Sequence, residues 1–311
     1  MSAACVLSVH PLPCALPGHA SLTYPRWRHW LQPPEGADSA DPSSPVAVQA
    51  VCAADDGGTP VGLALLHLPP GHTGRLLSVM VLPDRRRQGI GSALLRAAAD
   101  CARHAGAPAL MAQHNSAATG IDAYDAFMAA NGWPAAETRE VRGFGRAGWG
   151  RTAGKTFARH RAALVRRGYA LTPWTDLTED DAAAIRALVA SGAVPDGYDP
   201  FLMHGLDAPD LSAVLYRHGA VVGWAKAHWQ DTARTQAFYH SGWVLPEVAR
   251  QGWLAVAMID LSARQADLYG DDSLTGLATD ANNLPMQGIL FNRFGMLAER
   301  FDRLMQRTLP L

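Results

Sequence analysis

The chain has 311 residues, which is long enough for two domains of ordinary size. Hydrophobic residues make up 48% of it and charged residues 18%, less than the roughly 25% that is usual, so a substantial packed core is expected. The formal net charge of −1 excludes the strongly basic balance that is typical of a dedicated nucleic-acid-binding protein.

The N-terminal segment and the cysteines indicate a cytoplasmic protein. The segment MSAACVLSVHPLPCALPGHA has no positively charged start and is interrupted by prolines, so no secretory signal is expected. No apolar run is long enough to predict a membrane-spanning helix. Cys5, Cys14, Cys52 and Cys101 lack CxxC spacing and are interpreted as reduced thiols. No HxxxH or HExxH pair is present, so no metal site is predicted.

Apolar periodicity and turn residues predict a mixed α/β pattern in the first half of the chain. A Pro-, Ser- and Asp-rich run at Pro33–Pro45 predicts a mobile loop, and the three apolar runs after it predict an antiparallel meander. The predicted elements are strands at Val6–Val9, Val46–Cys52, Val61–Leu68, Leu76–Leu82 and Ala109–Gln113, a strand after Trp133, and helices at Tyr24–Leu31, Gly89–His104 and Ile121–Ala130.

The second half repeats this order of elements after a Gly- and Arg-rich stretch, Arg142–Arg151, which predicts a linker. Its predicted elements are helices at Glu179–Ser191, Gly252–Leu268 and Met286–Arg293, strands near Ser212–Arg217, Ala220–Gln230, Thr235–Leu245 and Leu274–Leu277, and a final strand.

An internal repeat relates the two halves. VLPDRRRQGIG begins at Val81, and VLPEVARQGWL begins at Val244, 163 residues later. The same offset carries the glycine of NGW at Gly132 onto the glycine of FGM at Gly295. Upstream, PVGLALLHL parallels VVGWAKAHW at nearly the same spacing. Matches in register at three places predict two copies of one fold, each of about 150 residues.

The most informative chemistry lies in Arg86–Gly91, the hexapeptide RRQGIG between an apolar strand and an amphipathic helix. Glycine lets the backbone approach a ligand closely, and the free N–H groups of a first helical turn attract phosphate oxygens. Arginines just before the turn add charge-assisted donors. The pattern predicts a pyrophosphate cradle, although a tight turn beside a solvated basic corner explains the hexapeptide equally well. It matches neither the P-loop nor the GxGxxG fingerprint.

Order and spacing favour the cradle. The pattern VxVLPxxRRQGIGSxLL, on a fourth strand and the following helix and with NGW further along, resembles the GNAT acyltransferase superfamily over most of residues 1–150. In the second copy, Thr279–Met286, Ile289, Asn292 and Arg293–Met296 resemble the NxxM…NxxGF segment of tandem GNAT proteins of the mycothiol-synthase type. The resemblance implies an α/β fold with two tandem GNAT-like domains, 1–145 and 155–311. Each domain would be a mostly antiparallel mixed sheet flanked by helices.

The resemblance also implies the cofactor, which is acetyl-CoA or another acyl-CoA. In the first copy, the backbone of Val79, Met80 and Val81 would bond the pantetheine arm, and Asn115 would lie close to it. The pyrophosphate would be held by Arg86, Arg87, Gln88, Gly89, Ile90, Gly91 and Ser92. In the second copy, Ala249 replaces the first arginine of RxxGxG and Leu254 replaces its second small residue. We therefore expect one CoA per chain.

Direct acyl transfer to an amine needs a base for the amine and an acid for the leaving thiolate. In many relatives the acid is a tyrosine, but Met128 and Phe291 occupy its positions here. Tyr124, one helical turn before Met128, is either a substitute acid or a packing residue. His114 is either a base or a surface residue, and Tyr239 and His240 either line a cleft in the second copy or pack across strands.

The sequence predicts an acyl-CoA-dependent N-acyltransferase that acts on a small amine by direct transfer. Neither nucleic acid nor membrane is expected as a partner. The alternative is a non-catalytic acyl-CoA-binding or protein-interaction module, because the usual tyrosines are missing and the second turn is altered.

Overall fold

The computed structural model describes residues 5–33, 48–195, 197–202, 206–231, 233–292, 294–295 and 298–311. The chain divides into two compact units: Met1–Arg139 with Leu304–Leu311, and Glu140–Arg303, here called the first and second units. Beyond Pro33, the predicted loop at Pro33–Pro45 lies outside the described residues. Among the helices of these described ranges, none is long and apolar enough to cross a bilayer.

The first unit contains a sheet between two apolar layers. Its elements are β1 (Val6–Leu12), β2 (Val48–Ala54), β3 (Pro60–His67), β4 (Gly74–Val81), α1 (Ile90–His104), β5 (Ala109–Asn115), α2 (Ile121–Ala130) and 3₁₀ turns at Pro17–Leu22, Pro25–Trp30 and Pro83–Arg85. The order is β1-β2-β3-β4-β5, antiparallel except for β4 and β5. Successive strand residues point to opposite faces, so Val51 packs with α1 whereas Cys52 packs with the first two 3₁₀ turns.

The second unit repeats this sheet and adds a long helix in front of it. Its elements are β6 (Glu137–Arg146, in this unit from Glu140), α3 (Trp149–Arg166), β7 (Tyr169–Pro173), α4 (Glu179–Ala190), β8 (Leu206–Asp207), β9 (Ala213–Arg217), β10 (Ala220–Trp229), β11 (Gln236–Val244), α5 (Trp253–Tyr269), β12 (Leu274–Asp280), α6 (Leu284–Asn292) and the start of β13 (Ala298–Pro310). The order is β6-β12-β11-β10-β9-β7, with β8 beside β10, and β11 and β12 are parallel.

The same irregularity occurs in both units. The register of β4 against β3 shifts so that Leu77 is an extra residue, and the register of β11 against β10 shifts so that His240 is extra. These two residues are 163 positions apart, which is the offset of the sequence repeat. A β-bulge bends the strand that carries it. The repeat is therefore present in the backbone geometry as well as in the sequence.

The predicted linker at Arg142–Arg151 is wrong, because β6 continues to Arg146 and α3 begins at Trp149. Residues 149–166 include four Ala and four Arg, which are good helix formers. Gly150 permits close packing of α3 on α5, since a Cβ at this position would lie 2.4 Å from the backbone nitrogen of Ala263. Of the glycines that predict a loop, Gly150 is thus a helix-packing residue, and Gly143 and Gly145 lie on β6.

The end of β13 completes the first unit. Leu304–Pro310 pair antiparallel with the whole of β5, from Leu304 opposite Asn115 to Pro310 opposite Ala109. The sequence predicts this strand as part of the second copy, because the order of elements along the chain does not reveal which edge the last strand reaches. The boundaries at 145 and 155 stay a prediction about the two repeats in the sequence.

We predict that deleting Leu304–Leu311 loosens β5 in the first unit, because each of its residues loses a partner on β13. Hydrogen exchange of the β5 amides should accelerate at least roughly tenfold, whereas β2 should change much less. The Gln306→Met variant is the control, since it removes only an exposed side-chain bond to Gln113. Unchanged exchange in β5 after the deletion would contradict the pairing.

Candidate functional site

In the first unit, β4 and β5 separate towards their carboxyl ends. They pair only from Gly74 opposite Leu110 to Leu76 opposite Ala112. Beyond the bulge at Leu77, the described pairing of Val79–Val81 is with β3 on one side. Backbone N–H and C=O groups on the other edge therefore face an opening, where they need a partner other than a strand. This opening is called the cleft below.

The turn between β4 and α1 lies at the end of the cleft. Gly89 precedes α1 with a φ of +83°, in the left-handed region that favours glycine. Within the described ranges no side chain caps α1, so its first N–H groups are available to an anion. The Arg86 Nε donates to the carbonyl of Val81 at 3.2 Å, which holds this guanidinium beside the cleft. A Cβ at Gly91 would lie 3.1 Å from the Phe127 ring, so this position needs glycine for space.

Two predicted catalytic residues, His114 and Tyr124, are in contact. Their rings meet edge to face with centroids 5.3 Å apart. His114 is on β5 and Tyr124 is on α2, so the contact joins the strand to the helix. The next residue, Asn115, ends β5 and accepts a hydrogen bond from the backbone of Ala117 at 2.8 Å.

Burial sets the protonation states of both side chains. Burial lowers the pKa of His114, Asp125 opposes this, and Arg307 lowers the pKa further. Burial raises the pKa of Tyr124 to about 12; among smaller effects, Arg307 lowers it and Tyr24 raises it. At neutral pH His114 is therefore an uncharged imidazole, and Tyr124 keeps its proton.

Two further residues, Asp125 and Arg307, complete a cluster that the sequence does not predict. Arg307 of β13 forms an ion pair with Asp125 of α2, and its Cζ lies 5.6 Å from the centroid of the Tyr124 ring. The His114 Nε2 lies 3.6 Å from the Asp125 Oδ1. Asp125 could have been noticed as the neighbour of Tyr124 on its helix. Arg307 carries no sequence signal, because its position depends on where β13 pairs.

The cysteines show no sign of activation. All four are free thiols, and burial raises the pKa of each of them, that of Cys52 to about 12. A thiol needs a lowered pKa to act as a nucleophile near neutral pH. This environment does not favour a covalent acyl-cysteine.

The equivalent turn of the second unit is covered by other side chains. Gly252 again has a positive φ, +73°, but the ring Nε2 of His160 on α3 lies 2.9 Å from the neighbouring carbonyl of Gln251. A Cβ at Gly242, the counterpart of Val79, would lie 3.1 Å from Leu254. Leu254 therefore packs against Gly242, the β11 residue whose counterpart in the first unit, Val79, borders the cleft.

Tyr239 and His240 are buried or paired within the second unit. Tyr239 is only 3% exposed and packs in the apolar core, so it does not line a cleft. The Nδ1 of His240 lies 2.9 Å from the Nδ1 of His228, across the bulge. In the predicted NxxGF segment, Asn292 ends α6, whereas Arg293 and Met296 lie outside the described residues.

Comparison with known proteins identifies the class of protein to which the first unit belongs. The model of the acetyltransferase (GNAT) family matches residues 12–126. A tandem GNAT protein from the clavulanic acid biosynthesis pathway is 19% identical, with 98% of each chain covered and a TM-score of 0.63. A GCN5-related N-acetyltransferase from Sphaerobacter thermophilus is 14% identical, with 98% of this chain and 96% of that chain covered and a TM-score of 0.56. No protein with a curated description matches the sequence.

The first unit thus contains a GNAT acetyltransferase domain, and the fold of the chain is that of a tandem GNAT protein. The predicted family and acetyltransferase class are confirmed for the first unit, and the predicted mixed α/β fold is confirmed for the chain. GNAT acetyltransferases use acetyl-CoA.

Proposed function

We propose that this chain transfers the acetyl group of acetyl-CoA to a small amine, in the cleft of the first unit and within the cytoplasm. The observation that carries the proposal is the separation of β4 from β5 beside an uncapped helix with the sequence RRQGIG at its start. The acceptor amine is a prediction from the sequence, and the alternative is a module that binds acyl-CoA without catalysis.

The cleft fits the predicted cofactor in two respects. The backbone edge of Val79–Val81 is open to bond an extended amide-containing arm, in the manner of an added strand. The first turn of α1, with Gly89 and Gly91 in it and Arg86 and Arg87 before it, provides donors and positive charge for a pyrophosphate. The cofactor supplies an activated thioester, and the chain supplies the binding groups.

Tyr124 is the proposed general acid. When an amine attacks the thioester carbonyl, an N–C bond forms, the C–S bond breaks, the amine loses a proton and the sulfur gains one. Tyr124 holds a proton at neutral pH because burial raises its pKa to about 12. A phenol with so high a pKa is a weak acid. A thiol with a pKa near 8.5 leaves readily as the thiolate, without being protonated by an acid. The expected contribution of Tyr124 is therefore modest.

His114 is the proposed partner of Tyr124 and not a base in direct contact with the acceptor. Its side chain is only 9% exposed, and its Nδ1 is buried without a hydrogen-bond partner among the described residues. A neutral imidazole in edge-to-face contact with the Tyr124 ring can fix the orientation of that ring. The amine proton would then leave to water.

Substitutions in the turn test cofactor binding. We predict that Gly89→Val abolishes CoA binding, because valine is strained at a φ of +83° and would reshape the turn. Arg86→Ala should weaken binding by about 1.5–3 kcal/mol, through one lost charge-assisted contact. Gly106→Val is a matched control, since Gly106 has a φ of +71° and follows the C-terminal end of α1. Calorimetry with unchanged CoA affinity in Gly89→Val would refute the assignment.

The two turns predict unequal occupancy. We expect one CoA per chain, held by the first unit, because Leu254 and His160 cover the equivalent places in the second unit. Native mass spectrometry at saturating CoA gives the stoichiometry directly. The Gly89→Val variant should bind no CoA. Two CoA molecules per chain in the parent protein would contradict the prediction, and so would one CoA still bound to Gly89→Val.

Turnover separates the enzyme from the binding module. Purified protein is incubated with acetyl-CoA and a panel of small amines, and CoA release is followed. We predict that Tyr124→Phe lowers kcat by less than roughly 30-fold, since an unassisted thiolate costs about 2 kcal/mol at pH 7. Tyr169→Phe in the second unit is the matched loss of a hydroxyl. A Tyr124→Phe rate within twofold of the parent removes Tyr124 from the mechanism, and no release with any amine favours the module.

A further inference from the structure

The feature that the proposed function leaves unexplained is a buried arginine on the last strand. Arg307 has a side chain that is 2% exposed and a guanidinium Nε without a hydrogen-bond partner among the described residues. Removing a charge from water costs several kcal/mol, and an apolar side chain of similar volume often serves stability as well. A role in the site gives a reason for an arginine at this position.

Register places Arg307 beside the candidate site. It lies opposite Ala112 on β5, and Met305 lies opposite His114. Residues that alternate along a strand share one face, so Arg307 and His114 lie on the same side of the sheet, two positions apart. This is the side on which α2 packs, because Ala112 belongs to the same apolar core as Met128.

The guanidinium joins three elements. It forms its ion pair with Asp125 of α2 and lies 5.6 Å from the ring centroid of Tyr124 on the same helix. Asp125 in turn lies 3.6 Å from the Nε2 of His114 on β5, and the Tyr124 ring contacts the His114 ring. A change in the position of Arg307 would therefore alter the surroundings of the Asp125, Tyr124 and His114 side chains.

We propose that Arg307 is a positioning residue of the first unit, which holds Asp125 and Tyr124 of α2 against His114 of β5 and competes with His114 for the Asp125 carboxylate. The inference rests on the proposed function for its consequence in catalysis. It implies that the chain's last strand supplies a residue without which the N-terminal site is incomplete.

The charges around His114 predict whether each substitution raises or lowers the pKa of His114. The groups that face it are Tyr124 and Asp125 from α2 and Arg307 from β13, while its neighbours on β5 are uncharged. The positive charge of Arg307 opposes protonation of the imidazole, and the negative charge of Asp125 favours it. Removing Arg307 also frees the carboxylate of Asp125, and both effects act in the same direction.

The experiment measures the pKa of His114 by NMR in the full-length protein, with the resonance assigned by its loss in His114→Gln. In Arg307→Met the pKa should rise by at least about half a unit, and in Asp125→Asn it should fall. Arg307→Lys, which keeps the charge, should return the pKa towards that of the parent. Gln306→Met, on the same strand but bonded to Gln113, should leave it unchanged.

Opposite shifts in the two variants separate positioning from a structural role, because loss of stability alone would not give opposite signs. A His114 pKa within about 0.2 units of the parent in both variants would overturn the inference. Should Arg307→Met not fold, Asp125→Asn and Arg307→Lys still carry the test.

Activity adds a second readout once an acceptor is found. The acid limb of the pH profile of kcat should move to higher pH in Arg307→Met, in step with the NMR value, while the KM for acetyl-CoA stays within about twofold. The NMR titration needs no turnover, so the two proposals fail separately. Unchanged His114 pKa values refute the role of Arg307, whereas absent CoA binding by the parent protein refutes the proposed function.

Discussion

The extra residue in β4 is the constraint on which the candidate site depends. A parallel pair of strands normally satisfies its backbone groups against each other, and here that pairing ends at Leu76. The bulge at Leu77 bends β4, while β5 stays paired with β13 along its whole length. One strand bends and the other is held by β13, so the sheet opens, and among the described residues no strand pairs with β4 on this side beyond Leu76. The turn before α1 lies beyond that edge.

The second unit has the same bulge but a different arrangement of side chains around the equivalent turn. His240 takes the place of Leu77, and β11 and β12 likewise pair only over their first residues. The difference lies in what fills the space. Leu254 replaces Gly91 and packs against Gly242, and the added helix α3 brings His160 onto the turn. Two copies of one backbone thus differ at the equivalent turns in a few side chains and one added helix.

Charge burial links the end of the chain to the first unit. Arg307 arrives on β13, and its ion pair with Asp125 is mostly removed from water on the arginine side. Such a pair stabilises little by itself, because desolvation offsets the attraction. Its effect is on the neighbours, since it presents a positive charge to His114 and Tyr124 at the place where α2 meets β5.

Local patterns in the sequence determined most helices and strands. The helix predicted at Ile121–Ala130 agrees with α2, and Gly89 and Gly252 start the two equivalent helices as the repeat requires. The repeat itself was readable, because both copies keep Val-Leu-Pro and Arg-Gln-Gly in register. The turn proposed to bind the cofactor could also be singled out from the sequence, since its glycines, arginines and following amphipathic helix are adjacent in the chain.

Tertiary structure decided what depends on residues far apart in sequence. The Gly- and Arg-rich stretch predicted as a linker leads into a helix, because its glycine allows contact with α5, more than a hundred residues away. The last strand joins β5 and not only its own copy, so no local signal could have placed Arg307 beside His114. The periodicity of apolar residues indicates which side of a segment is buried. Strand pairing and ion pairs depend instead on where distant segments lie in the folded chain. Those positions bring Arg307 together with His114, Tyr124 and Asp125.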